Sequence, residues 1–74
     1  MQLKHLLEQA IAGDGNAAAQ LAAALKIDLV WYPGDVWAHS GPHDASVEYA
    51  AHGEDRYAAL RVAIVQVATA MLAD

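Results

Sequence analysis

The sequence predicts a small α+β domain in the order α-α-β-β-β-α, a three-stranded antiparallel sheet packed with helices. Three observations carry that expectation. Apolar residues recur at helical spacing near both ends of the chain, and the middle turns to β-branched and aromatic residues broken by Pro-Gly and Gly-Pro. The total of 74 residues leaves room for one domain, 1–74.

Leu3, Leu6, Leu7, Ala10 and Ile11 fall at i, i+3, i+4, i+7 and i+8, with Gln2, Lys4, His5, Glu8 and Gln9 opposite, which predicts an amphipathic first helix. Gly13 and Gly15 end it, and Asn16 is the expected cap of a second, alanine-rich helix over residues 17–26. Its Ala18, Leu21, Ala22 and Leu25 share one side, so propensity favours it more than bulk does. Residues 29–32 and 35–39 read as a hairpin about Pro33-Gly34, which fits a type II turn with Gly34 at positive φ, or else a longer loop. After a breaker over residues 40–44, Val47 and Tyr49 alternate with Glu48 in a third strand over residues 46–50. Gly53 ends that strand, Glu54 and Asp55 place negative charge where a helix N-terminus favours it, and the longest helix follows to about residue 72. Its main apolar stripe is Tyr57, Leu60, Ile64, Val67, Ala68 and Met71.

Off that stripe lie Val62, Val65, Ala63, Ala70 and Leu72, with only Arg61, Gln66 and Thr69 as clear polar interruptions. A chain of 7.8 kDa buries only about 60 % of its surface on folding. With no cysteine it can be neither a disulfide scaffold nor a cysteine-ligated zinc module. Self-association is the remaining ordinary route to stability, so Val62, Val65, Gln66, Thr69 and Leu72 are the expected interface of a homodimer.

Composition narrows the function classes. Four Lys and Arg against nine Asp and Glu give a net charge of −5, and Lys4, Lys26, Arg56 and Arg61 are scattered, so direct nucleic-acid binding is not expected. The start of the chain is amphipathic rather than a signal peptide, and the longest uncharged run, residues 62–73, is too short to span a membrane. A soluble, cytoplasmic protein is expected.

Several stretches together resemble a family of small phage-encoded proteins of the α/β/α-sandwich type. They are Leu6-Leu7-Glu8-Gln9-Ala10 with Gly13-Asp14 before the alanine helix, Trp31-Tyr32-Pro33-Gly34-Asp35-Val36-Trp37, and Ala58-Ala59-Leu60-Arg61-Val62-Ala63. The resemblance implies a phage or prophage accessory protein. In that setting tiny acidic proteins often block host defence machinery, CRISPR effectors included. It brings no catalytic residues to transfer, and the segment between the second strand and the last helix is shorter here than in that family.

Residue chemistry offers little for catalysis. His39, His43 and His52, near Asp44, are the only grouping with metal-ligand character, and they match no zinc spacing. Ser40 and Ser46 lack the nucleophile elbow of a hydrolase, and Gly13-Asp14-Gly15 follows a helix, not a strand, as a phosphate loop would. A winged-helix regulator would need a recognition helix richer than Gln20 and Lys26. The nine acids never form a run, which leaves a solvated surface rather than a mimic of DNA. What stands out is aromatic: Trp31, Tyr32, Trp37 and Tyr49, with Glu48 beside them. Strand alternation puts Trp31 and Tyr32 on opposite faces, so part of this set should lie outside the core as a partner-binding surface. The expected function is therefore non-enzymatic, with no cofactor: protein binding, in the form of an inhibitor of a bacterial immune system. The alternatives are a metal-dependent enzyme using the three histidines and an acidic transcription-regulatory module.

Overall fold

The computed structural model describes residues 2–73. Its elements are α1 (Leu3–Ile11), α2 (Gly15–Ala24), β1 (Asp28–Trp31), β2 (Asp35–Ser40), β3 (His43–Glu48), a 3₁₀ turn (Tyr49–His52) and α3 (Arg56–Leu72). The α+β class and the order of its elements are as expected.

Local chemistry sets the boundaries. Gly13, at φ 111°, lets α1 close with N–H groups of Gly13 and Asp14 returned to the carbonyls of Ala10 and Gln9. The cap of α2 is Asp14, not Asn16. Its carboxylate accepts from the N–H groups of Asn16 and Ala17 at 3.0 and 3.1 Å, so the helix begins at Gly15. Lys26 takes the left-handed conformation (φ 55°) that closes α2 through Ile27 N–H to Ala22 O. Asp55 caps α3 in the same way as Asp14 caps α2, accepting from Tyr57 and Ala58.

The sheet is a meander, β1-β2-β3, antiparallel throughout. Two expectations about its turns fail. Gly34 is not at positive φ, so the first turn is not type II. Its geometry is fixed from outside, by Tyr49. The breaker over residues 40–44 is also no loop: Ser40 pairs with His43, leaving Gly41-Pro42 as a two-residue turn. Pro42 cannot take positive φ, whereas Gly41 does (59°), as a primed turn with glycine first requires. Strand β3 consequently starts at His43 and ends at Glu48, and Tyr49 and Ala50 belong to the 3₁₀ turn.

Helix α3 lies across β2 and β3, and the α1–α2 hairpin packs on α3. The close approach is made by alanines: Ala38 on the sheet and Ala59, Ala63 and Ala68 on the helix are fully buried, with Val36, Leu21, Ile64 and Val67 around them. Tyr57, expected in the α3 stripe, is instead 80 % exposed, and Ile11, expected in that of α1, is 63 % exposed. Each sits at the margin of its helix's packed face, Ile11 bordering the clefts between α1 and α3 and Tyr57 the groove between α2 and α3. The Cα radius of gyration, 11.3 Å, equals the value of about 11 Å expected for a compact single chain of this length.

Candidate functional site: an open, acid-rimmed sheet face

Strand alternation divides the sheet cleanly. Val36, Ala38 and Val47 point to the helices and are buried. The opposite face carries Asp28 and Val30 of β1, Asp35, Trp37 and His39 of β2, and Asp44, Ser46 and Glu48 of β3, and among the described residues no helix covers it. An α/β/α sandwich would have a second helical layer there.

The register places Trp37 at the middle of this face, between Val30 and Ser46. Its indole Nε1–H donates to Asp35 Oδ2 at 3.0 Å, which holds the ring in one orientation while leaving it 39 % exposed. Tyr32, 48 % exposed, follows Val30 past the end of β1. Carboxylates surround the apolar centre: Asp28 and Asp44 flank His39 in the register, and Asp35 pairs with Glu48 at the other end. None of the four Lys and Arg residues belongs to the sheet. The outcome is an exposed aromatic centre inside a negative rim.

The remaining expected partner-binding residues divide. Glu48 lies on the open face. Trp31 points to the helix side, at the uncovered margin of β1, with its ring 6.3 Å from that of Tyr49. Tyr49 is not a surface anchor at all, being 1 % exposed. Its hydroxyl lies 2.8 and 2.7 Å from the carbonyl oxygens of Tyr32 and Asp35, its N–H donates to Gly34 O, and the Arg56 guanidinium stands 4.8 Å from its ring centroid. Tyr49 thus clasps the turn that presents Tyr32 and Asp35. The sequence pattern shows that Tyr49 is on the inner side of the sheet but not that it reaches the turn, since that contact depends on the 3₁₀ bend.

The five residues expected to form a dimer interface are also placed. Val62 and Val65 are half-buried against the core of their own chain, beside Ala10 and Ile11 of α1. Gln66 and Thr69 are exposed, and Thr69 and Leu72 line a shallow groove against α1. The off-stripe valines are thus half-buried, packed in part on the core of their own chain and lining a cleft against α1.

The histidines do not converge. His39 and His43 sit on opposite faces by alternation, and His52 lies beyond the far end of β3, about 17 Å along the strand from His43. Among the described residues no group of three His, Cys, Asp or Glu is arranged to hold a metal ion, which weighs against the metal-enzyme alternative. The Ser40 hydroxyl donates to Leu25 O, a structural bond between β2 and the end of α2. Lys4 lies on α1, Lys26 past the end of α2, and Arg56 and Arg61 on α3, so the four basic residues are spread over three parts of the chain rather than set together on one helix or strand. Among the described residues no helix is long and apolar enough to cross a membrane.

No family model matches this chain, and neither a curated protein nor a solved structure was found to be similar to it.

Proposed function

We propose that the chain is a binding module that captures a basic segment of another protein on its open sheet face. The observation that supports the reading is the exposed indole of Trp37, hydrogen-bonded to Asp35 and ringed by Asp28, Asp35, Asp44 and Glu48. An aromatic face attracts a guanidinium or ammonium group, and the surrounding carboxylates supply its counter-charges, so an arginine or lysine is the complementary side chain. Val30, paired with Trp37 across β1 and β2, adds apolar contact beside that anchor. No step of bond making or breaking is needed for this role.

The phage resemblance makes bacterial immune complexes the first partners to test, with the protein acting in the cytoplasm as an inhibitor. Purified defence complexes are to be captured on the immobilised protein and on its Trp37→Ala and Asp35→Lys variants. A complex held through a basic surface, released by salt and lost with both variants supports the proposal. Equal capture by wild type and variants contradicts the site. Absence of any defence component, together with unchanged phage survival on defended hosts, contradicts the inhibitor role.

A further inference from the structure

We propose that the groove between α2, β1 and α3 is a separate site for a small amphipathic anion, an apolar chain or ring system ending in a carboxylate. The groove has a volume of about 450 Å³, within the range of about 300–1,000 Å³ usual for small-molecule sites. It exists because α3 lies over β2 and β3 and neither α3 nor α2 packs closely on β1, so the helix side of β1 is left open between them, facing the small residues of α2. Ala18 and Ala22 form one wall, Leu29 the floor and Leu60 the other wall, while Tyr57 stands exposed at the rim. A Cβ added to Gly15, also on the groove, meets nothing within 4 Å.

Polarity defines the ligand further. Arg61, on the ridge of α3 between this groove and the cleft against α1, is the one charged residue among the described residues lining the groove, and no described carboxylate lines it. A fork of N–H donors beside apolar walls matches a carboxylate carried on a hydrocarbon body. This site lies on the helical side and shares no residue with the open sheet face, so the two proposals stand or fall independently.

Decanoate, octanoate and decanol are the probes, followed by amide chemical shifts of the full chain and by calorimetry. The proposal expects decanoate to shift the amides of residues 15–22 and 57–64 and to bind roughly tenfold tighter than octanoate, from two additional buried methylenes. Decanol should bind at least severalfold more weakly. Arg61→Gln should reduce decanoate to the affinity of decanol without altering decanol binding, and Ala19→Leu, at an exposed position on the groove wall, should weaken both. Three results overturn the proposal: equal binding of decanoate and decanol to the wild type, shifts located elsewhere, or no binding at millimolar probe. Concentration-dependent shifts of the same amides without probe, accompanied by a dimer mass, also overturn it by making a second copy the occupant.

Discussion

Removing a single oxygen atom, in Tyr49→Phe, isolates the clasp that shapes the open face. The phenylalanine ring fills the same buried space beside Trp31 and under Arg56, so the packing term is retained. What disappears is the hydroxyl between the carbonyls of Tyr32 and Asp35. One proton serves both acceptors, so the net bond is worth about 1 kcal/mol, and leaving part-buried carbonyls without that donor adds up to about 1 kcal/mol more. Asp35 O keeps its bond from Tyr32 N–H, which holds the total to about 1–2 kcal/mol. For a domain of this size that loss lowers Tm by roughly 4–16 °C. Urea and thermal denaturation followed by circular dichroism measure it, and hydrogen exchange should quicken first at Gly34 to Val36. Tyr49→Ala, which also loses the ring, should fall well below Tyr49→Phe, by about 3–5 kcal/mol from wild type. A Tyr49→Phe protein as stable as the wild type, with unchanged exchange in the turn, refutes the clasp.

Three further outcomes follow from the packing. Ile64→Ala, at a position 2 % exposed, should cost about 2–4 kcal/mol in a urea titration, a large share of the stability of so small a domain. Lys26→Gly should raise stability by about 0.5–1 kcal/mol, because relief of the left-handed conformation at the end of α2 outweighs the added freedom of the unfolded chain; thermal denaturation reads it. Val65→Asp should destabilise the folded chain itself by about 1–3 kcal/mol, since Val65 packs on its own core. Unchanged Tm with a halved mass by light scattering would instead place Val65 between two copies.

The succession of elements was legible because each carries its own signal: period 3.6 in residues 3–11, β-branched and aromatic residues from Leu29, and a polar N-terminus before the last helix. The interior of α3 was not, because its closest contacts are alanines. Ala59 and Ala63 are fully buried, while Tyr57, which hydrophobicity ranks higher, stands exposed in the first turn of the helix. The turns were misjudged for a related reason. Composition marks Ser40 to Asp44 as loop, yet Gly41 and Pro42 alone satisfy a two-residue primed turn, and pairing extends to both flanking residues. Alternation holds for Trp31, which shares the helix side with Val36, whereas Tyr32 lies past the end of β1, where the strand pattern stops. It did not reveal the acid rim, because Asp28, Asp35, Asp44 and Glu48 are far apart in sequence and come together only when the three strands register.

The proposed capture of a basic segment rests on that rim and on Trp37 at its centre, and titration with an arginine-rich peptide tests both. Calorimetry at low and at physiological salt, on the wild type and on Trp37→Ala, should show binding that weakens as salt rises and that drops about 30-fold or more without the indole, the loss of an anchor worth about 2 kcal/mol. Equal affinity of the two proteins for the peptide, or amide shifts confined to α1, α2 and α3, would contradict it.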